Sequence, residues 1–456
     1  MSSRREALRI ANCSGHHGDR ISAAREMVEG GPIDVLTGDY LAEPTALPLW
    51  KARNRDPAAG YAPSFLTQMR DVLGNCLDRG IKVVANAGGL NPAGLAAKLR
   101  ELAAVAGLHP HVAHVEGDDL LGRLPELQAR GHDFAHLDTG RALAGSGVRP
   151  LTAHACLGGW GIAEALRAGA DIVVCGRVTH AALVVGPAAW TYGWELDDWD
   201  ALAGAVTAGH IIERGTQATG GNYSFFTEIP DPVRPGFPIA EVAADGSSVI
   251  TKHPGTGGAV TVGTVTAQLL QGIDRPRYLD ADVVARLDTI RLDQQGPDRV
   301  AVGPVAGEPA PTRLRVRLDH RGGYRNSATL VLTGLDLDAK ADFAEATLRD
   351  ATGGPAAFAR YDLRREHGGD CDRLTLTVQD PDPEVAGRGF FTAVTGTALA
   401  GYPGLHLEHA TARAAEYGVH WPASLPAAEV EAVAVLADGR RLPVPRPPCA
   451  PPQVPA

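Results

Sequence analysis

Asp39 and Glu43 stand four residues apart in the stretch GDYLAE, directly after an apolar run. On one helical turn they would face the same side and share a proton or a cation, as a general acid/base pair does. The competing account is a capping Asp39 with a solvated or Arg20-paired Glu43. His16 and His17 sit in CSGHHGDR beside Asp19 and Arg20, and His180 closes GRVTH. Imidazole titrates near neutrality, which suits proton transfer. With His210 and His253 these make five motif histidines, but no HxH, HxxxH or HExxH spacing occurs among them, so no metal site is expected. A hydrogen-bonded histidine near a turn is the plainer account for some of them.

A second kind of chemistry is suggested by TKHPGTGGAVTVGT, from Thr251 to Thr264. The Lys252 ammonium, with His253 beside it, and amides freed by Gly255, Gly257 and Gly258 ahead of a helix starting near Ala259 could converge on one carboxylate or phosphate. The lysine precedes the glycines, so this is not a P-loop, and an ordinary strand-to-helix turn is the alternative. Asn86, Asn91, Gln217 and Asn222 offer neutral donors beside glycines, able to hold a thioester carbonyl or a developing enolate. Asn86 and Asn91 equally suit tying turns and capping a helix. Arg177 is a candidate carboxylate clamp, or else the partner of an acid such as Asp171 or Glu213. A nucleophile at Cys156 or Ser14 is weaker, because neither sits in GxSxG or near a matching His and acid order.

The elements that must carry these residues read as a β-turn-α alternation. Apolar strands are expected at Leu8–Ala11, Ile33–Thr37, Ile81–Ala85, His111–Val115, Leu151–Ala155 and Asp171–Cys175, separated by helical spacings such as Phe65–Arg79 and Ala93–Ala106. Strands apolar on both faces imply an α/β fold with a mostly parallel sheet and flanking helices. In such a sheet ligands bind outside the carboxyl ends of the strands, where all the polar sets above would gather. A Pro/Gly stretch at Val302–Pro311 marks a boundary. The expected organisation is an α/β domain over 1–305, a smaller α+β domain over 306–422 and a proline-rich tail over 423–456.

The 456 residues are 44% apolar, enough for a substantial core. A net charge of −10 without a basic run argues against nucleic acid or an anionic membrane as partner. The N-terminus has no long apolar segment, so the chain is expected in the cytoplasm. Six scattered cysteines without a CxxC pair read as reduced thiols. Large α/β enzymes are commonly dimers or higher, which makes a homo-oligomer the expectation.

Six motifs in order, CSGHHGDR, GDYLAE, NAGGLNP, LGGWGIAEALRAGADIVVCGRVT, GHIIERGTQATGGNYSFF and TKHPGTGG, show that the chain resembles the acyclic terpene utilisation family, the AtuA-like proteins, over roughly Arg9 to Pro422. The resemblance implies a pathway that degrades branched acyclic terpenes through acyl-CoA intermediates. It points to the lyase or hydratase steps on 3-hydroxy-3-substituted glutaryl-CoA-like thioesters. Two departures bear on the chemistry. The family pattern GFSGDR is here Gly15-His16-His17-Gly18-Asp19-Arg20, and GRVTDAS is Gly176-Arg177-Val178-Thr179-His180-Ala181, so an acid is replaced by His180.

The resulting expectation is an enzyme acting on a small carboxylate or acyl thioester by proton abstraction with elimination, hydration or retro-aldol cleavage. Asp39, Glu43, His16 and His180 would move protons. Asn86, Asn91, Arg177, Gln217, Asn222, Lys252, His253, Gly257 and Gly258 would bind substrate. No metal or organic cofactor is implied. The alternative is a non-catalytic ligand-binding or assembly subunit of an acyl-CoA pathway.

Overall fold

A computed structural model describes residues 7–41 and 45–449. It divides into a larger unit, 1–318 with 421–456, and a smaller one, 319–420. In the larger unit the strands in chain order are β1 (Leu8–Asn12), β2 (Val35–Gly38), β3 (Lys82–Ala85), β4 (Val112–Glu116), β5 (Pro150–Ala155), β6 (Ile172–Cys175), β7 (Pro238–Val242) and β8 (Ser248–Lys252). A parallel core runs β1-β2-β3-β6-β4. Its members are short and almost wholly apolar because both faces are covered. Successive side chains point to opposite faces. Thus Val35, Val84 and Val173 join the helices Trp160–Arg167, Ala182–Tyr192 and Trp199–Ile212 in one core, whereas Leu36, Val83 and Ile172 join Ala23–Glu29, Pro63–Asp78 and Pro92–Val105 in another.

The expectation of a mostly parallel sheet is corrected here. The full sheet has eleven strands among the described residues, and both flanks are antiparallel. β7 pairs antiparallel with β1, β8 with β7, and Arg299–Gly303 and Arg291–Gly296 follow; on the other side Val433–Val435 pairs antiparallel with β4. Direction is set by connection length: β7 and β8 are joined by a tight turn, which permits only an antiparallel return, whereas helical crossovers make the central strands parallel. β5 lies outside the large sheet and pairs with the strand Arg313–Thr333.

Residues after Pro422, read as a tail in the sequence, include strands Val433–Val435 and Arg441–Pro443. Ala423, Leu425, Ala434 and Leu436 are buried in the larger unit's core. Proline at strand ends and edges is compatible with such pairing.

The smaller unit has its own core. Antiparallel pairing of 324–333 with Cys371–Asp380, and of that strand with Arg360–Gly368, forms a sheet covered by the helix Leu337–Thr352. Leu330, Leu332, Leu348, Leu374, Leu376 and Phe390 are buried together there. No helix among the described residues is long and apolar enough to cross a membrane.

Candidate active site

Asp39 follows β2 immediately, and its backbone N–H donates to Ser14 O at 2.9 Å, tying together the ends of two neighbouring strands. Its carboxylate is 3% exposed yet richly solvated by protein. Oδ1 accepts from Asn86 Nδ2 at 2.8 Å and from the Leu41 amide at 3.2 Å, and Oδ2 is hydrogen-bonded to His180 Nδ1. Asn86, fully buried just beyond β3, is itself held because its Oδ1 accepts from the Tyr40 amide at 2.7 Å. That bond fixes the orientation of the Asn86 amide, so its NH2 faces the carboxylate.

Burial alone would raise the Asp39 pKa. The His180 charge, the hydrogen bonds from His180 and Asn86, and the Arg177 charge outweigh it and hold the carboxyl below its ordinary value. For His180 burial opposes the charged form, but the Asp39 and Glu213 carboxylates reverse the balance and raise it to about 9. Asp39 and His180 therefore form a carboxylate–imidazolium pair at neutral pH. The His180 side chain is 33% exposed, and its hydrogen bond to Asp39 uses Nδ1, so Nε2 is the opposite end of the ring.

Arg177, one residue beyond Gly176 at the end of β6, donates from Nη1 to Leu41 O at 3.0 Å and from its backbone N–H to Asp118 Oδ2 at 2.7 Å. A side chain at Gly176 would lie 2.5 Å from that same oxygen, so glycine is needed there. Glu213 is buried, 3.8 Å from His210 Nδ1 and 3.5 Å from Arg214 Nε, and adds negative potential to the His180 site. The structure thus brings together Asp39, Asn86, Arg177 and His180.

The other candidates lie elsewhere or are occupied. Glu43 falls outside the described residues. The His16 side chain is 58% exposed, with Asp19 at 4.0 Å, and His17 is bonded to Ser64 Oγ at 3.1 Å. Asn91 is a helix cap: Oδ1 accepts from Gly94 N at 2.9 Å, and Nδ2 donates to Ala58 O and Ala59 O. Asn222 is exposed, and Gln217 lies on the short 3-10 turn Gly215–Thr219. Ser14 is buried, and its Oγ donates to His16 O at 3.0 Å.

The glycine turn after β8 is a cradle that the chain fills itself. Lys252 donates to Thr256 O at 2.7 Å and pairs with Asp298 Oδ2 at 3.0 Å, while Asp298 Oδ1 accepts from the Val260 amide at 2.8 Å. The amides of Gly258 and Ala259 are taken by Pro230 O and Thr219 O. The helix begins at Val262, not near Ala259, and its end is closed by a Thr261–Thr264 capping box. Gly257 and Gly258 serve close packing: a side chain at Gly257 would meet Asp231 O at 2.4 Å, and Gly258 has φ +80°. His253 donates to Met27 O at 2.9 Å over the space left by Gly30 and Gly31. The Lys252–Pro238 and Ala11–Ile239 registers do put this turn at the same sheet edge as Asp39. It is three strands away, roughly 14 Å.

Sequence reading passed over Asp118, His154 and a buried carboxyl pair, Asp280 and Asp282. Burial and the neighbouring Asp280 push Asp282 up to about 8, while its Oδ2 accepts from the Gly159 amide at 2.6 Å. A signal existed for Asp118: Gly117-Asp118 follows β4 as Gly38-Asp39 ends β2. No comparable signal marks His154, which sits within a strand. Among the described residues no cluster of three or more His, Cys, Asp or Glu side chains has the arrangement of a metal site.

A family model described as "Acyclic terpene utilisation family protein AtuA" matches residues 8–436. Neither a curated protein nor a solved structure matches the chain.

Proposed function

The chain belongs to the acyclic terpene utilisation family AtuA, and on that premise we propose that it is a lyase or hydro-lyase acting on a small carboxylate or acyl-CoA thioester. The Asp39–His180 pair carries the reading. A buried carboxylate hydrogen-bonded on both oxygens holds an imidazolium whose Nε2 is left for a ligand, at the sheet edge where α/β folds bind theirs. Three donors hold the carboxylate, so Asp39 orients and charges His180, and His180 is the group that meets substrate.

An imidazolium is an acid. In elimination it would donate its Nε2 proton to a departing hydroxyl while a base, for which Glu43 is the sequence candidate, takes the proton from the neighbouring carbon. In hydration or retro-aldol cleavage the same N–H would polarise a carbonyl oxygen as enolate charge develops. The reading also takes the protein as a cytoplasmic homo-oligomer working on small molecules, without nucleic-acid or membrane partners.

Thermal-shift screening against 3-hydroxyacyl-CoAs and free hydroxy-dicarboxylates, followed by turnover assays on the ligands that bind, tests this. Asp39→Asn is expected to keep the ligand-induced shift and lower turnover by about 10²-fold or more. Wild-type turnover in that variant, or no shift from either ligand class, would overturn the reading. A ligand bound equally by both proteins and converted by neither would favour a binding subunit.

A further inference from the structure

Beside the helix Ala46–Arg55 lies a cavity of about 420 Å³. Trp50, Leu90, Leu121 and Leu151 give it apolar walls, and Arg53, Asp119 and His154 give it polar ones. Its rim comes from the segments beyond β3 and β4, so it opens at the carboxyl edge of the parallel strands.

His154 is the group held there with most constraint. It is 7% exposed, and Nδ1 lies 2.9 Å from Asp118 Oδ2, the oxygen that also accepts the Arg177 amide. The ladder around it is closed by Leu120 N to Ala153 O at 2.7 Å and Ala155 N to Asp118 O at 2.8 Å. A carboxylate acceptor requires the proton on Nδ1, so Nε2 is the ring nitrogen left for the cavity that His154 lines.

We propose that this cavity is a subsite for a small carboxylate, with the doubly protonated His154 ring donating from Nε2 to the ligand's oxygen, Asp118 accepting from Nδ1 and positioning the ring, and the apolar walls holding the ligand's body. Burial disfavours charge on His154, but Asp118 and Asp119 together raise its pKa, with Arg177 opposing. Asp119 is itself shared with Arg53 at 3.7 Å, and Arg53 donates to Leu90 O at 2.8 Å, so one fixed cation also borders the space. Arg177 joins this subsite to the Asp39 site, with its N–H on Asp118 and its side chain on Leu41 O. The inference rests on the reading of this sheet edge as the substrate site, but its test does not need turnover.

The test is diethylpyrocarbonate labelling of the full-length protein, with His154 and His16 followed by peptide mass spectrometry. Glutarate and glutaryl-CoA serve as carboxylate probes and acetyl-CoA as the carboxylate-free control. Saturating glutarate is expected to slow His154 labelling several-fold and leave the exposed His16 unchanged. Protection by both probes marks recognition of the carboxylate wherever it comes from, whereas protection by glutaryl-CoA alone assigns the subsite to the acyl end of a thioester. Calorimetry should show about tenfold or more weaker glutarate binding in His154→Gln, the size of a lost charge-assisted hydrogen bond. In Asp118→Asn the affinity should begin to fall at lower pH than in wild type, since the imidazolium is the binding form.

No protection by either carboxylate probe, equal protection by acetyl-CoA, or wild-type affinity in His154→Gln would overturn the subsite. Protection measured on the wild-type protein decides the matter even where a variant misfolds. Glutarate protection together with normal turnover in Asp39→Asn would leave this subsite standing and remove the catalytic role of the Asp39–His180 pair.

Discussion

At Asp39 a buried carboxylate keeps its charge because protein donors replace water on both oxygens. The benefit passes to His180, which stays protonated far above the range of a free imidazole. The pH dependence has a definite sign. A histidine raised from 6.5 to about 9 contributes stability that is fully present below about 6.5 and lost as pH rises through about 9. Asp39→Asn removes the larger of its two negative partners. NMR titration of labelled histidine should then find the His180 pKa lowered toward the ordinary value. A value still near 9 in that variant would mean that Glu213 alone sets it.

The elements explain why these side chains meet. Each central strand ends in a short polar turn, and parallel register aligns the ends: Gly38 pairs with Ala85, and Ala85 with Val174, which puts Asp39, Asn86 and the Gly176-Arg177 turn side by side. Asn91 belongs to the same loop as Asn86 but does a different job. Asn91→Ala should cost about 1 kcal/mol or more in urea unfolding through the lost cap, and leave glutarate protection of His154 intact. Loss of protection would mean that the cap also shapes the cavity. The Lys252 turn makes an opposite claim. Lys252→Met unpairs the partly exposed Asp298 carboxylate and leaves Thr256 O without its donor, and should destabilise the protein by about 1 kcal/mol, with part of the loss recovered by adding Asp298→Asn. A variant of wild-type stability with impaired ligand binding would restore the anion-cradle reading of this turn.

At the scale of the whole molecule, the site belongs to the larger unit, and the smaller unit's core is made entirely from its own residues. Leu376→Ala, at a fully buried position of that second core, should cost the smaller unit about 2–5 kcal/mol. The His180 titration should not move. A changed His180 pKa in that variant would show that the two units are energetically coupled.

The sequence by itself determined the alternation of apolar runs and helices, and the common edge at which Asp39, Asn86 and Arg177 emerge. Hydrophobic periodicity and the polar residues that terminate each strand are local properties of the chain. Only the tertiary structure decided which partner each group meets. Whether a flanking strand runs parallel or antiparallel depends on how the chain returns, which apolarity does not encode. Lys252 looks available until Asp298, from a turn between two later strands, closes on it. His154 looks like a strand residue until Asp118, from another strand end, fixes its ring at a cavity. Charge and hydrogen bonding act over a few ångströms, so the chemistry of such groups is set by neighbours in space rather than in sequence.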